Sequence, residues 1–259
     1  MNQKRIKTIL GLTTLLLVSC TKHKNEEWQS LFNGNNLDNW TVKIHHHEAG
    51  ENFGNTFRAE DNMIKVRYDQ YNGFDDQFGH IYYNQEFSNF HLSLEYRFSG
   101  EFMEDAPYFA ELNSGVMFHS QSPNTMPKEQ NWPISVEMQF LADLGNGKPR
   151  STGNMCSPGT DIVYQNTKFP HHCLNSTSET IDKNQWVKAE LIVNNGQIIQ
   201  MINGKVVLEY NNPTIGYTKT VKGAKPELWQ EGKALTKGYI ALQSEGQPIE
   251  FKNIMIKKL

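Results

Sequence analysis

Basic charge is scarce in this sequence: 25 Lys and Arg stand against 28 Asp and Glu, a formal net charge of −3. Such a balance offers no electrostatic footprint for nucleic acid or another polyanion, so no nucleic-acid partner is expected. Long apolar runs are missing too. The run at the amino terminus, Ile9 to Val18, is about half the roughly 20 residues that a helix needs to cross hydrocarbon. Cysteine is limited to Cys20, Cys156 and Cys173, too few for a disulfide-dense miniature fold. Helical periodicity is scarce as well, and Pro226 to Gly232, opened by Pro and closed by Gly, is the best short candidate.

The first residues have the order of a secretory signal: a basic head (Lys4, Arg5, Lys7), a short apolar core, then Ser19 and Cys20. Leu17-Val18-Ser19-Cys20 resembles a bacterial lipobox, in which the cysteine becomes the lipid-bearing terminus and acyl chains anchor without spanning. The expectation is a signal peptide over 1–19, lipidation at Cys20, and a polar tether over 20–27. One domain would follow over 28–259, attached to the membrane through the lipid alone. The location expected is the bacterial cell envelope, on the outer membrane, facing either the periplasm or the surface. Loss of residues 1–19 removes three bases and no acid, leaving 22 bases against 28 acids and a charge near −6.

With Cys20 committed to lipid, Cys156 and Cys173 are an even pair in an oxidising compartment, which predicts a disulfide. Thiolate metal ligation together with His171 and His172 is the competing reading.

Most of the remaining chain alternates at period two. His91 to Phe98, Gly115 to His119, Ile134 to Phe140, Trp186 to Val193 and Gly238 to Ser244 each place apolar residues on one side. Asn203-Gly204 supplies the positive φ values of a tight hairpin. The class expected is an all-β, antiparallel jelly-roll sandwich. Alternation sends Ser93, Glu95 and Arg97 to a wet face, and likewise Met117 and His119, and Ser135, Glu137 and Gln139. If those strands are neighbours, a carboxylate, a guanidinium, an imidazole and an amide share one surface. A solvated sheet face with cross-strand ion pairs is the bland alternative.

A retaining glycosidase requires two carboxylates about 5 Å apart. The alternate positions Ser135, Glu137 and Gln139 provide one, so a second would have to come from a distant loop. Adjacent histidines on a strand point to opposite faces, so neither His45-His46-His47 nor His171-His172 makes a multidentate site alone, and the first run reads as a solvated loop or edge. Of the five tryptophans, Trp132 is best placed to stack on a sugar.

Leu31-Phe32-Asn33-Gly34 with Leu37-Asp38-Asn39-Trp40, Asn113 to Phe118, Pro133 to Gln139 with its Glu-x-Gln, and Gly238 to Gly246 running into Phe251 to Lys257 resemble the 3-keto-disaccharide hydrolase domain family. The resemblance spans essentially the chain after the tether. It implies a concanavalin A-like lectin/glucanase sandwich that breaks glycosidic bonds of sugars oxidised at C3. A C3 ketone acidifies the C2 proton, so one base can form an enolate that expels the C1 substituent, with or without rehydration. His119 or Glu137 is the candidate base, and Arg97 or a divalent cation the candidate enolate stabiliser. A cation held by His119, Glu137 and one loop histidine is the metal alternative. Gln139, Gln243, Glu95, Trp132 and Glu245 are the candidate substrate contacts; many family members have Arg at the position of His119 and His at that of Glu245. A non-catalytic carbohydrate-binding lipoprotein on the same fold is the rival reading.

Overall fold

The computed structural model describes residues 27–216 and 221–259. The expected signal peptide, Cys20 and nearly all of the tether lie outside the described residues. In chain order the strands are β1 (Gln29–Ser30), β2 (Trp40–Ile44), β3 (Phe57–Glu60), β4 (Met63–Val66), β5 (Gly79–Phe87) and β6 (Phe90–Phe98). There follow β7 (Asn113–Ser120), β8 (Val136–Leu141), β9 (Asn154–Cys156), β10 (Thr160–Tyr164), β11 (Thr167–Lys168) and β12 (Cys173–Leu174). The last five are β13 (Val187–Asn194), β14 (Gln197–Ile202), β15 (Lys205–Ile215), β16 (Gly238–Ser244) and β17 (Ile249–Lys258).

Two antiparallel sheets pack face to face as a jelly-roll sandwich. One runs β11-β10-β15-β14-β13-β6-β17-β4-β3, with β1 added on β17, and the other runs β12-β9-β8-β7-β16-β5-β2. The alternation in β6 is fully expressed: Phe90, Leu92, Leu94, Tyr96 and Phe98 are buried while the residues between them are half-exposed. Val136, Met138 and Phe140 of β8 do the same from the facing sheet, and Tyr96 stacks on Phe140 with ring centroids 4.0 Å apart. Each such large apolar side chain removed from water contributes on the order of 2–3 kcal/mol. Asn203 (φ 48°) and Gly204 (φ 79°) close the β14–β15 hairpin, with the two positive φ values that match strand twist. In the stretch read as the best helix, only Pro226–Leu228 is helical, as a single 3₁₀ turn.

The sheet assignment corrects one expectation. β6 pairs with β13 and β17, and therefore does not neighbour β7 or β8. Glu95 and Arg97 do leave the core, as alternation requires, but they emerge on the outer face of the larger sheet. There Arg97 donates to Glu250 Oε2 from Nε (3.1 Å) and Nη2 (2.5 Å) and lies over the Trp186 ring, while Glu95 accepts from Asn253 and pairs with Lys252. Arg97, His119 and Glu137 thus share no surface.

Candidate active site

The outer face of the smaller sheet is polar and covered rather than solvated. Strand register lines up Gln139 (β8), Gly115 (β7), Gln243 (β16) and His80 (β5) in one cross-strand row, because Gly115 opposes Gln139 and Gln243 opposes His80. The next row carries Glu137 between Cys156 and Met117. Loops before β7, β8 and β10 and after β16 rise around these rows and enclose a cavity of about 850 Å³. Glu137, Gln139, Glu245, Trp132, Asn113 and Arg150 are among the residues that line it. A glycine at 115 is what gives Glu137 its room, since a side chain there would occupy the space of the carboxylate.

Two buried carboxylates, Glu137 and Glu245, line this cavity. Burial pushes the Glu137 carboxyl well above the ordinary range, the charge of Glu245 pushes it further, and no hydrogen bond offsets either effect. Burial also raises Glu245, to about 7, against the pull of a hydrogen bond from Trp132. Glu245 Oε1 accepts from Trp132 Nε1 (3.2 Å) and Gln243 Nε2 (2.9 Å), whereas its buried Oε2 has no partner among the described residues. Two acids that feel each other's charge resist double ionisation, so the pair titrates together and not as two independent groups. One member can accept a proton while the other donates one.

The polar groups around the pair are acceptors in need of donors. Asn113 Nδ2 donates to Phe109 O (3.1 Å), and among the described residues neither the buried Asn113 Oδ1 nor the buried Gln243 Oε1 has a partner. Hydroxyl groups, each an O–H donor, are the complement of such a lining. Arg150 ties the walls together: Nη1 donates to Leu112 O (3.2 Å) and Ala142 O (2.9 Å), and Nη2 to Glu111 O (2.9 Å). Trp132 packs on Phe78 with centroids 4.4 Å apart, and Tyr108, 89% exposed, stands at the mouth.

Of the residues expected from the sequence, Glu137, Gln139, Trp132, Gln243 and Glu245 are gathered on this sheet, while Arg97 and Glu95 lie on the other. His119 belongs to β7 but turns away from the cavity. A positive φ of 46° and a register shift on the neighbouring β16 break the alternation there. Its Nδ1 lies 2.8 Å from Leu235 O and its Nε2 2.9 Å from Ser88 O, with Phe90 and Phe118 alongside. His119 is therefore a buried cross-link, and a cation site combining it with Glu137 does not form. Cys156 and Cys173 are joined in a disulfide on the cavity wall, so the pair offers no thiolates to a metal beside His172. The second carboxylate, Glu245, arrives from the turn after β16, more than a hundred residues downstream of Glu137. Asn113 and Arg150 were not anticipated; Asn113 sits in the Asn-Ser-Gly motif, while Arg150 is in a loop whose sequence has no periodic signal.

The fold is a two-sheet jelly-roll β-sandwich with a deep cavity on the outer face of its smaller sheet. A Bacillus subtilis protein of unknown function with a galectin-like fold superposes with a TM-score of 0.55 at 10% identity, covering 90% of this chain and 94% of that one. A Parabacteroides distasonis protein provisionally classed as a glycosyl hydrolase gives 0.54 at 21% identity, covering 90% and 100%. The carbohydrate-binding module CBM66 of Bacillus subtilis gives 0.50 at 10% identity, covering 86% and 98%. The chain belongs to the 3-keto-alpha-glucoside-1,2-lyase-like domain family, which it matches over residues 27–257. No curated protein matches the sequence.

Proposed function

We propose that this protein cleaves the glycosidic bond of 3-keto-glycosides or 3-keto-disaccharides by elimination. The observation that carries the reading is the buried Glu137–Glu245 pair at the wall of a sugar-sized cavity in a chain of this family. The ionised carboxylate takes the C2 proton, whose acidity comes from the C3 ketone. The C2–H electron pair becomes the enolate, then re-forms the ketone as a C1–C2 double bond forms and the C1–O bond breaks. The protonated partner gives its proton to the departing oxygen. Addition of water across the new double bond converts the lyase product into the hydrolase product. Neutral acid groups in a dry site also stabilise enolate charge by hydrogen bonding, a role that Arg97 is too distant to take.

A second carboxylate on the wall of the same cavity, Glu245, also favours a second reading, double-displacement hydrolysis of an unoxidised glycoside, which needs a carboxylate pair. Incubating the protein with a 3-keto disaccharide and with its unoxidised parent separates the two. Elimination predicts release of the leaving sugar together with the unsaturated 3-keto product or its hydrate, from the keto form alone; release of sugars from the parent supports double displacement. Binding of either sugar with cleavage of neither, unchanged in Glu137→Gln, points instead to a carbohydrate-binding lipoprotein. We further propose export and lipid anchoring at Cys20 in the bacterial envelope, supported by the lipobox-like sequence. Radiolabelled palmitate incorporated by the wild type and not by Cys20→Ser is the expected result.

A further inference from the structure

The turn after β2 departs from the alternation that its sequence implies. His46 has a positive φ of 71°, which brings the ring of His46 back over that of His45, with centroids 3.7 Å apart. Both rings then face one carboxylate. His46 Nδ1 lies 3.0 Å and His45 Nε2 3.9 Å from Glu129 Oε2. The loop carrying Glu129 is held against this turn by the backbone, since His46 N donates to Lys128 O (2.8 Å).

We propose that His45, His46 and Glu129 form a binding site for a zinc-class divalent cation at the rim of the sugar cavity. Three ligand atoms on a tetrahedral ion at about 2.0–2.1 Å are about 3.3–3.4 Å apart; the two imidazole–carboxylate separations, 3.0 and 3.9 Å, bracket that value, and all three ligand atoms lie within 4.8 Å of one another. His45 Nδ1 lies 2.9 Å from the Asp76 carbonyl, so this nitrogen carries the proton and Nε2 presents its lone pair to the ion. A backbone acceptor behind a ligating imidazole is the usual means of fixing its tautomer and orientation.

Neighbouring groups leave the site to these three. His47 is committed to Glu51 and Gln77, and so is not a ligand. Lys128 pairs with Glu48, and Lys43 donates to Ile44 O and Lys128 O. The exposed Glu129 can adjust its position at little cost. Two neutral imidazoles and one carboxylate leave a bound divalent ion with a net positive charge and at least one open position. Because His45 and Asp76 line the cavity, that position lies where an oxygen of a bound sugar can reach it.

The test uses protein made without a histidine tag, stripped with chelator, kept non-reduced so that Cys156 and Cys173 stay oxidised, and titrated with zinc by calorimetry. One saturable site is expected, with the visible spectrum of four-coordinate cobalt(II) when cobalt replaces zinc. His46→Asn, chosen because Asn tolerates positive φ, and Glu129→Gln should each weaken binding at least tenfold, while His47→Asn leaves it unchanged and thermal melting shows all three folded. Absence of saturable binding, equal affinity in His46→Asn and Glu129→Gln, or equal loss in His47→Asn would overturn the proposal. The readout is binding, so it stands or falls apart from the reaction proposed above.

Discussion

Glu137 lies over Gly115 so closely that a methyl group on Gly115 would fall 2.5 Å from Glu137 Oε1 and 2.9 Å from its Cγ. The carbonyl of Met138 would be 3.0 Å away, so the new group cannot be relieved by a side-chain shift alone. Gly115→Ala should therefore displace the carboxylate from its place opposite Glu245. We expect at least a tenfold loss of turnover on the cleaved glycoside, with a stability loss of about 1–3 kcal/mol from overpacking. Retained turnover with a lowered melting temperature would mean that the position of Glu137 does not matter to the reaction.

That contact shows which parts of the molecule were legible in the sequence. Period-two alternation gave the buried and outward residues of β6 correctly, because sterics send successive side chains to opposite faces whatever the tertiary context. It could not say in which sheet a strand lies, and Arg97 and Glu137 were separated by exactly that unknown. Alternation failed where the backbone turns left-handed, at His46 and His119, since one positive φ redirects a side chain. Glu245 entered the carboxylate pair from a turn 108 positions beyond Glu137 in the numbering, a juxtaposition that only the folded sandwich produces.

Stability should fall as the medium is made less acidic, and Glu245 should account for part of the fall. Its folded pKa of about 7 lies above the 4.5 of an ordinary Glu, so the folded state holds a proton that the unfolded chain has released. The stabilisation is complete below about 4.5 and is lost as pH rises through about 7. Glu137, also raised, adds in the same direction. In Glu245→Gln one ionisation disappears and the charge that raises Glu137 goes with it. Urea denaturation on either side of this window should show the wild type losing stability with rising pH and the variant losing less, because burial still raises Glu137. An equal slope in both would contradict the assignment.

Trp132 tunes the same pair. Its Nε1–H donates to Glu245 Oε1 and stabilises the ionised form, while its ring packs on Phe78. Trp132→Phe keeps an aromatic ring and removes the donor, so the Glu245 carboxyl should rise further. If the ionised member of the pair is the base, the acidic limb of the pH–rate profile moves to higher pH, and turnover at about pH 6 drops severalfold while the plateau changes less. A uniform fall at all pH values would assign Trp132 to sugar stacking alone.

Arg97 should prove to be structural. Glu250, 5% exposed, is pushed upward by burial, yet the bonds from Arg97 and Arg67 more than offset this and hold its carboxyl below the ordinary range. Removing Arg97 leaves a buried carboxylate with one guanidinium partner instead of two, and uncovers part of the Trp186 ring. Arg97→Ala should cost about 1–2 kcal/mol in denaturation at neutral pH, a part of what is lost when a buried charge is left wholly unpaired. The lowered pKa of Glu250 contributes stability at neutral pH that disappears as pH falls through its folded value, so the wild type's advantage over Arg97→Ala should shrink in acid. Turnover at a temperature where both proteins are folded should be the same, because the larger sheet and its core lie between this ion pair and the cavity. A selective loss of turnover in Arg97→Ala would restore the guanidinium to the chemistry and require a second binding face on the opposite side of the sandwich.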